Sequence, residues 1–280
     1  MKTRTKLLAL AVAASAGNVC AQQSEVVVYG LAMPFLEFPS TNRATVGVPD
    51  NKPTLVSASQ YTGLNDPIRS RISAGTSNLG FRGYEQIAPG LRVTWQLESA
   101  FQIDQNTPPG LGGRNSKVGL QGSWGEVFYG QWDTPYKFIS LQINPIRAGY
   151  VFDYTPIMGN PGMLVPVTTT QFTRAPGKPD AAFDRRTGNT VQYWTPRFGG
   201  FSGRLSWSTD EGRTTPSATT ASIRPQIWSV DGQYDIGGLS VRYAYEQHDD
   251  YFGLSALNPA MGTAPGGLTN QSSKDKAQKL

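Results

Sequence analysis

Between Leu91 and Ile103 the chain alternates apolar and polar side chains with a period of two. Leu91, Val93, Trp95, Leu97, Phe101 and Ile103 hold the odd positions; Arg92, Thr94, Gln96, Glu98 and Gln102 hold the even ones. An extended strand sends these two sets to opposite faces. The run is long: a globular strand averages about 5–6 residues, whereas a strand crossing a bilayer needs about 9–11. Shorter versions of the pattern predict strands over 24–37, 78–85, 114–122, 126–132, 190–195, 201–207, 226–234 and 239–247, with the start of a tenth from 273.

The connections predict how these strands are arranged. One set is tight and carries turn chemistry: Ile87-Ala-Pro-Gly90, Ser123-Trp-Gly125, Pro196-Arg-Phe-Gly-Gly200 and Ile236-Gly-Gly238. The other set is long, over 38–69, 104–113, 133–188, 209–224 and 249–273. Short and long connections alternate strictly, as in barrels with short turns on one side of a membrane and long loops on the other. Past its first residues the chain has no run near the ~18 apolar residues of a membrane helix, so a membrane crossing has to be a closed barrel. The predicted fold class is all-β, a transmembrane antiparallel β-barrel. Aromatics near the predicted strand ends (Tyr29, Tyr84, Trp124, Phe128, Trp132, Tyr193, Trp194, Phe198, Phe201 and Trp207) are expected to form its interfacial girdles.

The N-terminus reads as an export signal over 1–21. Lys2, Arg4 and Lys6 precede an apolar run from Leu7 to Ala16, and Val19-Cys20-Ala21 places small residues at a cleavage site. Cleavage is expected after Ala21. Lipidation of Cys20 is the alternative, which Gly17-Asn18-Val19 fit poorly. Cleavage removes the only cysteine, which excludes disulfide scaffolds and zinc–thiolate sites. It also removes three basic residues, leaving 22 Lys+Arg against 20 Asp+Glu, so there is no nucleic-acid footprint. The single histidine, His248, cannot anchor a multi-histidine metal site and is expected to be a solvated loop-edge residue. Asp249-Asp250 is expected to be a solvated acidic pair rather than a cation site. G-x-S-x-G, H-E-x-x-H, P-loop and EF-hand patterns are absent. The expectation is therefore a protein without catalysis, metal or cofactor.

Five stretches, in order, resemble the general-diffusion porins of Gram-negative bacteria, the beta-proteobacterial type in particular. They are Val26-Val-Val-Tyr-Gly30, Thr76-Ser-Asn-Leu-Gly-Phe-Arg-Gly83, Gly90-Leu-Arg-Val-Thr-Trp-Gln-Leu-Glu98, Val118 to Gln131, and Gln192-Tyr-Trp-Thr-Pro-Arg-Phe-Gly-Gly-Phe201. The resemblance implies a sixteen-stranded barrel that assembles as a homotrimer in the outer-membrane lipid. It implies a water-filled channel for small hydrophilic solutes and ions, narrowed by an inward-folded loop at about 133–188 that contains Thr155-Pro-Ile-Met-Gly159.

Carried over by position, the resemblance places Glu98, Arg114 and Arg186 at the pore constriction. Asn78 stands where relatives often have arginine, which lowers the expected cationic character. Arg82 and Arg92 join this set by strand face: Arg82 shares a face with Asn78, and Arg92 shares one with Glu98. Arg186 has the parity of Thr190 and Gln192. Arg114 conflicts with the alternation through Val118 and Leu120, so either a bulge intervenes or it lies beyond the strand.

The family also ends in a terminal aromatic read by the barrel-assembly machinery, and Leu280 is not one. With nine or ten strands over 22–280, the chain is expected to be a C-terminally incomplete porin barrel. Two other readings are a surface receptor or adhesin acting through its long loops, and a secreted soluble β-enzyme. Loop 133–188 separates the porin reading from the receptor or adhesin, since only a porin needs it folded inward.

Overall fold

A computed structural model of the chain describes residues 24–38, 40–44, 64–68, 70–101, 110–143, 165–168, 171–173, 183–209, 223–251, 272 and 274–280. The predicted signal 1–21, with Cys20, and the Thr155–Gly159 segment lie outside these residues. Ten strands form one sheet: β1 (Ser24–Leu31), β2 (Asn78–Ala88), β3 (Leu91–Ala100), β4 (Ser116–Gly122), β5 (Gly125–Asp133), β6 (Arg186–Trp194), β7 (Phe201–Thr209), β8 (Gln226–Ile236), β9 (Leu239–Asp249) and β10 (Lys274–Lys279). Every strand pairs with its neighbour in the chain, and every pair is antiparallel. This simple meander is what the alternation of tight turns and long loops requires. Among the described residues, β1 and β10 are the open edges of the sheet.

All four predicted tight turns are present, at 89–90, 123–124, 199–200 and 237–238. Gly200 shows why glycine is needed in one of them. Its φ is +86°, and a Cβ there would collide with the Asp235 carbonyl, while its own carbonyl accepts the Asp235 N–H at 3.1 Å. The predicted first strand, 24–37, is broken. Pro34 supplies no N–H to a ladder, and the Met33 N–H is taken by Ser77 Oγ at 2.8 Å. Phe35–Glu37 then leaves the main sheet and pairs with Arg71–Ser73, and Thr41–Ala44 pairs with Leu64–Asp66.

The two faces of the sheet are reversed relative to a water-soluble protein. Val26 is 66% exposed and Val118 61%, and Leu97, Val191, Leu205, Val230 and Val241 are exposed with them. On the opposite face Thr190, Gln192, Ser206, Ser208, Ser229 and Glu246 are buried. An apolar exterior around a polar interior is stable only where the outside medium is hydrocarbon.

Helix α1 (Pro135–Ile143), which opens the long connection between β5 and β6, covers part of the polar face. It packs against β7, β8 and β9. Thr134 caps it, its Oγ1 accepting the Lys137 N–H at 3.3 Å, and Pro135 takes the first helical position. The Tyr136 N–H, free at a helix start, donates to Ser229 Oγ at 3.0 Å. Tyr136 and Ile139 bury one side of the helix with Phe183 and Ala244. At nine residues, α1 is too short for a periodic stripe to be seen in the sequence.

Two expectations need correction. His248 is fully buried, not a solvated loop-edge residue. Strand β9 runs on to Asp249, and its even positions Ala244, Glu246 and His248 face inward. The His248 Nε2 lies 2.8 Å from Glu246 Oε1, and the Phe183 ring stacks on the imidazole at 4.4 Å. The aromatics also divide. Trp124, Phe198, Phe201 and Trp207 are on the exposed face, as a girdle requires. Phe128 and Trp132 are buried inside and meet Trp194 edge-to-face at 5.4 and 5.9 Å. Tyr29 and Tyr84 also point inward, where both carry arginines.

Candidate functional site

The polar face carries a charged cluster at the loop end of β3, β4, β5 and β6. Glu98 stands near the end of β3. Its Oε1 accepts from Arg114 Nε at 2.6 Å, and its Oε2 accepts from the Tyr29 hydroxyl at 2.9 Å. Arg114 lies ahead of β4, which begins at Ser116, so strand parity does not govern it. Its backbone N–H donates to the Glu98 carbonyl at 2.9 Å, which turns the guanidinium inward.

Beside this pair Asn115 bridges two further groups. Its Nδ2 donates to Asp133 Oδ2 at 2.8 Å, and its Oδ1 accepts from Arg186 Nε at 2.5 Å. Asp133 Oδ1 also lies 2.9 Å from Lys137 Nζ and 3.5 Å from Arg186 Nε. Three cations thus face two carboxylates. The side chains of Arg114, Arg186 and Lys137 are 26%, 20% and 21% exposed, against 12% for Glu98 and 6% for Asp133. The acids lie against the wall and the bases front the open side.

Arg186 reaches this site by a different route from simple parity. The pairing of β5 with β6 slips between Thr187 and Thr190, and Asn189 sits there at φ +46°. The bulge shifts the phase of the strand, so Thr187 is buried along with Thr190 and Gln192. Arg186 is instead held by its register partner, Asp133. The cluster contains Asn115, Asp133, Lys137 and Tyr29 in addition to the residues expected from the sequence. Tyr29 was legible as an inward position of β1. Asp133 and Lys137 were hidden by the unpredicted helix.

Asn78, Arg82 and Arg92 lie apart from this cluster. Asn78 Nδ2 donates to the Thr76 carbonyl at 3.1 Å, closing the bend before β2. Arg82 stacks over the Tyr29 ring at 5.3 Å and Arg92 over the Tyr84 ring at 4.8 Å. Arg92 also donates from Nε to Gln121 Oε1 at 2.7 Å. Both arginines line a separate cavity nearer the tight turns.

Further charges pin α1 and the segment before β6 to the wall. Arg204 pairs with Asp231 at 2.8 Å and lies 3.5 Å from the Phe138 ring centre. Lys279 pairs with Asp184 at 2.6 Å, bonds to Ser140 Oγ, and lies over the Tyr136 ring at 3.6 Å. Burial pushes the Asp184 carboxyl above its usual range, against the pull of Lys279 and Ser140. Burial, with Asp184 and Glu246 nearby, pushes the Tyr136 phenol up to about 12. Among the described residues no group of three or more His, Cys, Asp or Glu could hold a metal ion. Asp249 pairs with Lys274 at 3.4 Å, and Asp250 accepts from the Arg224 N–H and the Ser272 hydroxyl.

An antiparallel meander with an apolar exterior, and charge gathered on its enclosed face, defines the wall of a membrane β-barrel. The sequence profile of the Gram-negative porins matches residues 8–278, and the chain belongs to that family. It is 29% identical over 245 residues to outer membrane porin protein 32 of Delftia acidovorans, covering 87% of this chain and 60% of that one. It is 27% identical over 232 residues to the major outer membrane protein P.IB of Neisseria meningitidis, covering 82% of this chain and 56% of that one. The chain therefore spans somewhat more than half the length of these relatives. Among solved structures, an anion-selective porin from Comamonas acidovorans shares the fold with a TM-score of 0.54 and 23% identity, over 81% of this chain and 58% of that one. Its place is the outer membrane.

Proposed function

We propose that the polar face lines a water-filled channel for passive diffusion of small hydrophilic solutes and ions, with Glu98, Arg114 and Arg186 at its constriction. One observation carries this reading: α1, the described start of the long loop 133–188, lies on the polar face of β7–β9 and brings Lys137 to Asp133, the carboxylate that Arg186 also reaches. A loop that folds onto the inner wall narrows a passage, whereas a receptor or adhesin would present it outside. Half-buried cations set against more deeply recessed carboxylates create a transverse field in low-dielectric surroundings. Polar solutes orient in it and pass, and apolar ones are rejected by desolvation. Asn115, Asp133 and Lys137 join the constriction, while Asn78 serves the bend before β2. The sixteen-stranded barrel, the homotrimer and insertion by the barrel-assembly machinery belong to the same proposal, and no catalysis is part of it.

The test is Arg186→Glu in a planar bilayer under a salt gradient. The reversal potential is expected to move toward cation preference, because the substitution changes the local charge by two. An unchanged potential removes Arg186 from the constriction.

A further inference from the structure

The cavity on the turn side of β1–β4 is not part of the charged cluster above. It has a volume of about 370 Å³ and is lined by Glu25, Arg82, Tyr84, Arg92, Lys117 and Glu126, among others. That volume falls within the range that small-molecule pockets occupy, roughly 300–1,000 Å³. Its charges are not equivalent. Lys117 and Glu126 neutralise each other, Nζ to Oε1 at 2.5 Å, and Thr94 Oγ1 also donates to that oxygen. Among the described residues neither Arg82 nor Arg92 has a carboxylate partner, and Glu25 bridges to neither.

Each guanidinium lies over an aromatic ring instead. Arg82 lies over Tyr29 at 5.3 Å and Arg92 over Tyr84 at 4.8 Å. A cation over a ring face is held by the ring's quadrupole without spending its N–H donors, and among the described residues Arg82 donates to no protein acceptor. Arg92 gives only its Nε to Gln121. Arg82 and Tyr84 are alternate residues of β2, and Arg92 enters from β3 opposite Gln86, so the groups share one face of two paired strands. A planar fork of N–H donors fixed on an aromatic ring matches the oxygens of a carboxylate or a phosphate.

We propose that this cavity is a second anion-binding site, which takes a small oxyanion through the free edges of Arg82 and Arg92. The site rests on the channel reading only for how the anion arrives; binding itself needs no conduction. Tyr29 connects it to the cluster above, because the ring beneath Arg82 donates its hydroxyl to Glu98. An anion leaving the constriction thus meets a second pair of arginines before the turn side. Chloride, which cannot engage a fork at two oxygens, gains least.

Isothermal titration of the detergent-folded protein tests the site, with inorganic phosphate and acetate as separate probes and ionic strength held with chloride. Saturable binding is expected, weakened at least roughly tenfold by Arg82→Gln with Arg92→Gln, and retained in Arg186→Gln. The charge-preserving pair Arg82→Lys with Arg92→Lys is expected to weaken phosphate less than the glutamine pair does. Saturation by phosphate alone assigns the site to phosphates, and saturation by acetate as well extends it to carboxylates. Absence of saturable binding by the folded wild type overturns the proposal. So does binding lost in Arg186→Gln but kept in the glutamine pair, and this result would leave the constriction intact.

Discussion

At the residue scale, the site is built from side chains that each do one local job. Tyr29 supports two arginines at once: its hydroxyl donates to Glu98, which holds Arg114, and its ring carries Arg82. The ring fits because Gly80, opposite it on β2, has no side chain. A Cβ there would lie 2.8 Å from Tyr29 Cε1 and closer still to the phenol end. Gly80→Ala is therefore expected to swing the ring away and forfeit the hydrogen bond to Glu98. The cost is about 2 kcal/mol, read as a lower urea midpoint for the folded protein. The strand itself is expected to survive, since the clash is with the far end of a side chain.

Sequence alternation placed Glu98 on the inner face, because period two is a local property of the backbone, whereas Tyr29, expected in the girdle, turns inward to Glu98. It misplaced His248, because burial depends on what packs over a strand, and here that is Phe183 from a segment distant in sequence. Asp133 escaped notice for the same reason: its partners come from β4, β6 and α1.

At the element scale, the tight turns and the strands between them followed from the chain, whereas the helix and the bulge did not. Strand order needs only that consecutive strands be joined by turns that glycine permits. The bulge at Gly188 and Asn189 needs the register of β5 against β6, which pairing alone fixes. Helix α1 is stable where it lies because Thr134 caps it and Ser229 satisfies its first free N–H. The Tyr136 phenol beneath Lys279 gives a way to follow its docking. Its value is raised from 10.0 to about 12, so between those limits the unfolded chain loses the proton first. Stability from this group is complete below pH 10 and falls as pH rises toward 12. Tyr136→Phe is expected to flatten that alkaline loss, measured as the pH dependence of the unfolding midpoint.

At the scale of the whole molecule, the reversal of the two faces dominates. A charge placed on the exposed face must enter hydrocarbon, at a cost of about 2–4 kcal/mol near mid-depth. Val230 is on that face, and its neighbour Ser229 is on the inner one. Val230→Arg is expected to lower the folding yield into lipid vesicles and to destabilise the folded protein by about that amount. An effect below 1 kcal/mol at mid-depth would argue that Val230 does not face lipid. The family match over 8–278 accords with this arrangement, since porin strands alternate apolar-out and polar-in.

What the sequence determined by itself was the all-β class, the meander, and the sorting of residues into two faces. Each is decided within a few residues by backbone geometry, turn chemistry and side-chain polarity. What only the tertiary structure decided was which inward residues meet. Arg114 meets Glu98, and Arg186 meets Asp133 directly and through Asn115, while Arg82 and Arg92 are set apart in their own cavity. Those contacts join side chains from strands and a helix far apart in the chain. Their distances depend on register, on one bulge, and on where a loop comes to rest.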